Sequence, residues 1–242
     1  MKPLLQRPSQ TTMDDLLALI LELAETLTFD HFEGPPVDPY EIAAALDITI
    51  RESDGAPRWT IRRGRASIGL PSGVARERLR FTVAHEILEI EVRRRGLLSE
   101  IDRGLADQTE WAFQVGASEM LMPRGWYARV GRESDWSLPH LREQFDVSWE
   151  AAARRVPVCT PSACTIIDNG HVAARLAGDG MNLPSRISDE ERAAVDAVYD
   201  AWPSSDATRA EGEGFRCAAW PALPERSSIR RVCLLTFPSE EW

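Results

Sequence analysis

A long helical pattern that places acidic residues among apolar ones is the strongest constraint on how this chain folds. Residues 78–95 carry apolar side chains at the spacing of one helix face, namely Leu79, Val83, Ile87, Leu88 and Ile90. His85, Glu86 and Glu89 lie inside that pattern, with apolar neighbours on both sides. Because a carboxylate that is buried without a partner is costly, we expect at least one of the two glutamates to be partly buried and to have a partner.

The spacing within His85-Glu86-Ile87-Leu88-Glu89 is typical of a metal-binding helix. His85 and Glu89 are one helical turn apart and share a face, while Glu86 lies about 100° around the helix. In the H-E-x-x-H pattern, ligands at i and i+4 hold zinc, and the glutamate beside them takes a proton from the attacking water. Here a glutamate replaces the second histidine. Taken alone, these five residues also fit a surface cluster of hydrogen-bonding side chains.

The composition disfavours several classes of protein. The 242 residues include 28 basic and 38 acidic side chains, a net charge of −10, which argues against a general nucleic-acid-binding protein. An arginine-rich stretch at 58–80 is expected to be mostly solvated surface. No apolar run approaches the roughly 20 residues that cross a bilayer, so the sequence predicts a cytoplasmic protein. The four cysteines lack C-x2-C spacing and are expected to be reduced and buried.

Apolar periodicity and turn residues predict a mixture of helices and strands. Helices are predicted at 13–27, 40–46, 78–95, 107–121, 138–145, 148–155 and 189–202. Strands are predicted at 48–50, 59–62, 66–70, 165–167, 172–176, 215–220 and 229–237. Asn169-Gly170 is the strongest turn signal and predicts a hairpin between its flanking strands.

Several segments resemble the ImmA/IrrE family of metallo-endopeptidases. Arg80-Phe-Thr-Val-Ala-His-Glu86 looks like the opening of that family's active-site helix, and Pro36-Val-Asp-Pro-Tyr-Glu-Ile-Ala43 resembles its N-terminal signature. Downstream, Glu110 and the segment Met120-Leu-Met-Pro123 are similar to the family's second metal helix. The helical pair near 141–155 also resembles the family. Together these segments span about 12–156.

The resemblance implies a fold, a site and a function. The fold class is α+β: a zincin-like metallopeptidase core, with helices on a small twisted sheet, and a small C-terminal α/β domain. By position, His85, Glu89 and Glu110 are the implied metal ligands and Glu86 the implied general base. The implied partner is a protein substrate, a helix-turn-helix transcriptional repressor whose cleavage serves transcription regulation in a stress response. No membrane partner is expected, and direct DNA binding is not expected.

The predicted domains are 1–157, a metallopeptidase-like domain that includes the helical pair at 138–156, and 158–242, a small α/β domain suited to sensing or substrate docking. The resemblance covers most of the first domain. The second offers no ligand motif of its own.

Glu89 stands where the family usually has its second histidine. Replacing that histidine with glutamate lowers the formal charge of the site by one unit, so the ion polarises water less. One divalent ion is expected, with zinc first and manganese as the alternative, because carboxylate-rich sites favour harder ions. The departure keeps open a catalytically degenerate relative that acts as a binding or sensing protein. A DNA-binding regulator acting through 141–155 is the weaker alternative.

Two further departures lie in the predicted helix at 107–121. Gln114 and Gly116 stand where an asparagine and a phenylalanine are usual in the family. Glycine in a helix interior costs about 1 kcal/mol relative to alanine, so both departures are consistent with drift or with adaptation to another ion.

Overall fold

A computed structural model describes residues 13–96, 106–181, 184, 186–202, 206–222 and 228–239, with the side chains of 106 and 107 left aside. The chain divides into two compact units, Met1–Pro123 and Arg124–Trp242, which are taken one at a time below. The domain boundary at 157/158 stays a prediction. Within the described residues, no helix combines the length and the apolar character needed to cross a bilayer.

The first unit contains four helices and three strands among its described residues. In chain order they are α1 (Met13–Phe29), α2 (Pro39–Ala45), β1 (Ile48–Glu52), β2 (Arg58–Arg62), β3 (Arg65–Leu70), α3 (Arg76–Arg94) and α4 (Ala106–Leu121). All seven were predicted from the sequence within a few residues. Asp38 caps α2, since its side chain accepts a hydrogen bond from the backbone N–H of Tyr40 at 2.9 Å.

The strands of the first unit form one sheet in the order β1-β3-β2. β1 runs parallel to β3, with Ile50 opposite Ile68, and β2 runs antiparallel to β3, with Trp59 opposite Ile68. Buried Ala66 and Ile68 mark the face of β3 that packs against α3. β2 therefore forms one edge of this sheet, beside the helix that carries His85.

The core of the first unit lies between α1, α3 and α4. Leu16, Ile20 and Leu23 of α1 are almost fully buried, as are Ile87 and Leu88 of α3. A buried hydrogen bond from the Thr28 hydroxyl to the Met120 carbonyl, 3.1 Å long, joins α1 to α4. These contacts hold α3 and α4 side by side, which positions the candidate site.

The second unit begins with three helices and continues with a five-stranded sheet. The helices are α5 (Arg124–Glu133), α6 (Leu138–Phe145) and α7 (Trp149–Cys159), followed by β4 (Ala163–Asp168), β5 (His171–Ala177), α8 (Asp189–Asp200), β6 (Thr208–Gly212), β7 (Phe215–Ala222) and β8 (Arg231–Pro238). All strand pairs are antiparallel, in the order β5-β4-β8-β7-β6. The mixed α+β class predicted from the sequence is confirmed.

Helices cover both faces of this five-stranded sheet. α8 packs against β6, β7 and β8 through Val195 and Val198, and α7 contacts β4 and β8. Asn169 and Gly170 both have positive φ, 49° and 83°, as the predicted Asn-Gly hairpin turn requires. Ser188 and Glu191 close a capping box at the start of α8.

Candidate metal centre

Helix α3 carries three of the four predicted site residues. Glu77 in its first turn and two arginines in its last turn, Arg93 and Arg94, complement the helix dipole. Most apolar side chains of the helix are buried, among them Val83, Ile87 and Ile90, so α3 is fixed within the core. The turn from His85 to Glu89 is therefore held on a rigid element rather than on a loop.

Helix α4 brings Glu110 to that turn. His85, Glu89 and Glu110 each offer one ligand atom, and these atoms all lie within 4.8 Å of one another. The His85 Nε2 atom is 3.6 Å from Glu110 Oε2. The other Glu110 oxygen accepts a 3.2 Å hydrogen bond from Gln114, one turn along α4. The two helices thus gather one imidazole and two carboxylates at one point.

The edge strand β2 contacts this cluster through Trp59. The indole Nε1–H of Trp59 donates a hydrogen bond to Glu89 Oε2. The guanidinium of Arg93 lies over the Trp59 ring, 4.8 Å from its centroid. His85 packs edge-on against the ring of Phe113, with centroids 5.8 Å apart. The ligand cluster therefore has aromatic neighbours from both β2 and α4.

Glu86 is the most buried acid at the site, with 7% of its surface exposed. Its Oε2 atom is buried and has no hydrogen-bond partner among the described residues. Burial, with the nearby charges of Glu89 and Glu110, raises the pKa of Glu86 to about 7, and a hydrogen bond from the Trp59 backbone opposes this rise. A buried carboxylate with one oxygen that lacks a hydrogen-bond partner is typical of a functional site rather than of a structural one.

The donor set fits a divalent metal. An imidazole and two carboxylates are ordinary zinc and manganese ligands. Two ligand atoms that each lie about 2.1 Å from a tetrahedral ion are about 3.4 Å apart. The His85 and Glu110 atoms, 3.6 Å apart, are already close to that separation, and the widest pair in the cluster lies within 4.8 Å. The Glu86 oxygen that lacks a hydrogen-bond partner lies on the same helical turn as two of the potential ligands. Its lack of a partner is consistent with a site that holds a further group.

Other candidate ligands lie elsewhere. Among the described residues, His85, Glu89 and Glu110 form the one group of three potential ligands. His31, His140 and His171 are exposed. The cysteines are free, and three of the four are buried, as expected. Burial raises the pKa of the Cys164 thiol to about 12, which leaves that thiol protonated and unreactive.

The structure gives Gly116 a packing role. A Cβ atom at this position would lie 2.4 Å from a side-chain carbon of Ile20 and 2.9 Å from one of Leu88. The glycine therefore allows α4 to approach α1 and α3 closely. The drift that the sequence suggested at this position is not needed to explain the residue.

Trp59 is the site contact that the sequence did not predict. It lies thirty residues before its partner Glu89, and no local pattern links a strand tryptophan to a helix glutamate. Trp111, next to Glu110 on α4, is 52% exposed.

Residues 43–156 match the peptidase M78 family model, described as the IrrE N-terminal-like domain. This segment, a little under half of the chain, is similar to the ImmA/IrrE family. The match confirms the resemblance on which the sequence analysis relied. The matched region includes His85, Glu86, Glu89 and Glu110, and similarity to a metallopeptidase family implies a metal ion.

A solved structure resembles the fold of this chain over most of its length. It is a Mycobacterium tuberculosis transcriptional regulator, 12% identical in sequence, with a TM-score of 0.64; the likeness covers 93% of this chain and 76% of that one. At this identity the likeness concerns the fold. No curated protein matches the chain in sequence.

Proposed function

We propose that this protein is a metal-dependent regulatory endopeptidase that cleaves a helix-turn-helix transcriptional repressor in the cytoplasm. The observation that carries the proposal is the convergence of His85, Glu89 and Glu110 beside the buried Glu86. The match of residues 43–156 to a peptidase family model supports the reaction class. The proposal includes a zincin-like arrangement of the sheet, α3 and α4.

His85, Glu89 and Glu110 would hold one divalent ion, zinc first and manganese second. The bound ion would supply Lewis-acid chemistry that polarises the scissile carbonyl and the attacking water. Glu86 would accept the proton of that water and pass it to the leaving amine. Its raised pKa, about 7, lies in the range where a general base works well near neutral pH, and a cation beside it would lower that value.

The proposed substrate class rests on two supports. The family resemblance implies regulatory proteases that act on repressors, and a protein of similar fold is named a transcriptional regulator. We assign residues 158–242 to sensing or substrate docking, and a stress response as the biological setting. The acidic net charge of the chain agrees with a protein partner rather than with DNA.

A second candidate is a catalytically degenerate relative that binds or senses without cleaving. The specific observation in its favour is Glu89 itself, which lowers the charge of the site by one unit relative to a site with two histidines and one glutamate. An ion whose ligands carry more negative charge polarises its substrate less. Both candidates retain the same partner class, so metal content and cleavage must be measured together.

The test uses full-length protein, purified without chelator and resupplied with zinc or manganese. The endopeptidase proposal expects about one ion per chain and cleavage of a co-encoded helix-turn-helix repressor. Glu86→Gln should keep the ion and abolish cleavage, because Glu86 moves a proton and does not bind the metal. Protein that holds well under about 0.2 ion per chain would remove the basis for the proposal.

Glu89→His separates the two candidates. If Glu89 is a ligand that only weakens the Lewis acid, the histidine should tighten zinc binding and raise cleavage. A Glu89→His protein that binds zinc fully and cuts nothing, beside a wild-type protein that binds the repressor tightly, would favour the binding protein instead.

A further inference from the structure

We propose that Trp59 is the positioning residue of the candidate metal centre, because its indole N–H holds the Glu89 carboxylate in the orientation that metal binding needs. The inference rests on the metal site of the proposed function. It assigns a role on β2 to a site whose other residues lie on α3 and α4.

The first support is the direct contact. An indole N–H can only donate a hydrogen bond, and an ionised carboxylate can only accept one. A hydrogen bond from the Trp59 Nε1–H to an ionised Glu89 carboxylate is charge-assisted, which makes it stronger than a bond between neutral groups. It occupies one lone-pair direction on one oxygen and leaves the other oxygen of Glu89 for a further partner.

The second support is that Trp59 reaches both acids of the motif. Its side chain donates to Glu89, and its backbone hydrogen-bonds to Glu86. β2 lies at the edge of its sheet, paired with β3 alone, so backbone groups on its outer side are free to make such a bond. One strand residue thus contacts both Glu86 and Glu89.

The third support is that the indole ring is itself held. Arg93 lies one helical turn beyond Glu89 on α3, with its guanidinium over the Trp59 ring at 4.8 Å. A cation over the face of tryptophan is attracted by the ring quadrupole. The ring, and with it the N–H direction, is clamped between the sheet and α3.

The physical need for such a residue follows from the glutamate. A histidine ligand has two side-chain torsions, whereas glutamate has three and offers two oxygens, so more conformational freedom is lost when it binds a metal. A neighbouring donor that selects one conformation beforehand reduces that loss. Residues that orient a metal ligand in this way commonly change metal affinity 10–100-fold when replaced.

The experiment measures zinc affinity of the full chain by competition with a chromophoric chelator. Trp59→Phe keeps an aromatic ring and removes the N–H, and it should weaken zinc binding by about 10-fold or more. Trp111→Phe is the matched control, since Trp111 is adjacent to Glu110 but half exposed; its affinity should stay within about twofold. Unchanged affinity in Trp59→Phe overturns the proposal.

A double-mutant cycle distinguishes positioning from general structural support. In a Glu89→Ala background the carboxylate that Trp59 holds is absent, so adding Trp59→Phe should cost less than about twofold further. An equal loss in both backgrounds would show that Trp59 acts on the fold and would overturn the positioning role. If the wild-type chain binds no zinc, the proposed function fails first; if it binds zinc and the cycle shows no coupling, only the role of Trp59 fails.

A spectroscopic measurement covers the case in which Trp59→Phe does not fold. The eight tryptophans give eight indole N–H signals in metal-free, nitrogen-15-labelled protein. Glu89→Ala should move one of them strongly upfield, because that proton loses a charged acceptor. If no indole signal moves, the bond is absent in solution and the proposal is wrong.

Discussion

Two buried glutamates, one in each unit, have opposite surroundings. Glu191 at the start of α8 is 2% exposed, and Glu86 on α3 is 7% exposed. Glu191 accepts hydrogen bonds at 2.9 and 3.2 Å from Arg175, at 2.5 Å from the Thr236 hydroxyl and at 2.8 Å from the Ser188 backbone. Glu86 has two acids as neighbours and an oxygen without a partner.

The contrast separates a carboxylate that serves the fold from one that is available for chemistry. Each bond to Glu191 offsets the cost of removing its charge from water, so the residue ties β5, β8 and α8 together. Glu86 lacks most of that compensation and has instead a pKa near neutral. A protein that keeps such an acid in its core loses stability there, which is the usual relation between active sites and folding.

The largest expected effect comes from removing the cation that pairs with Glu191. Arg175→Met leaves a buried carboxylate without its counter-charge and should lower the free energy of unfolding by about 3–5 kcal/mol, measured by urea denaturation. Arg209→Met is the control, since Arg209 pairs with Asp135 at the surface and should cost at most about 1 kcal/mol. If both variants lose the same free energy of unfolding, Glu191 does not depend on its buried ion pair and the contrast with Glu86 fails.

The same substitution at the two glutamates should have opposite signs. Glu191→Gln weakens charge-assisted bonds and should cost about 2 kcal/mol. Glu86→Gln removes an unfavourable charge and should add up to about 3 kcal/mol at pH 8 in chelator-treated protein. Denaturation of both variants beside the wild-type protein measures this, and a loss of stability in Glu86→Gln would contradict the comparison.

The pH dependence follows from the raised pKa of Glu86. The folded state holds its proton up to about pH 7, whereas the unfolded chain releases it near 4.5. Stability from this group is therefore greatest below pH 4.5 and falls as the pH rises through 7. The advantage of Glu86→Gln should shrink towards zero between pH 8 and pH 4.5, and an advantage that stays constant would show that burial of the charge is not its cause.

The smallest effect on stability is expected at the exposed ligand. The Glu110 side chain is 53% exposed, so Glu110→Ala should change the free energy of unfolding of metal-free protein by at most about 0.5 kcal/mol. The same variant should lose its metal ion, as elemental analysis would record. Trp111→Phe, at the neighbouring exposed position of α4, is the matched control and should retain the ion.

Periodicity and turn residues predicted most of the fold because they act locally. The helix at α1 and the turn at Asn169-Gly170 each depend on residues close together in sequence. α5 was missed because Gly125 and Gly131 weaken its helical pattern. It is stabilised instead by tertiary contacts: Tyr127 is fully buried and donates a 2.6 Å hydrogen bond to the Ala152 carbonyl.

β6 was missed for a related reason. Its sequence Thr-Arg-Ala-Glu-Gly has no apolar run, and its strand conformation comes from pairing with β7. At the site, helical spacing predicted that His85 and Glu89 share a face, whereas Glu110 came from the family resemblance. The Trp59 contact depends on how the sheet packs on α3, which no short sequence pattern contains.

The close approach at Gly116 links residues that ordinary sequence comparison would treat as independent. The family resemblance implies phenylalanine at this position, yet in this chain even a methyl group would overlap Ile20 and Leu88. Gly116→Phe alone should therefore be strongly unfavourable, while the same change together with smaller residues at 20 and 88 should be tolerated. The side chains at these three positions are expected to depend on one another, so engineering of this helix contact must exchange them as a set.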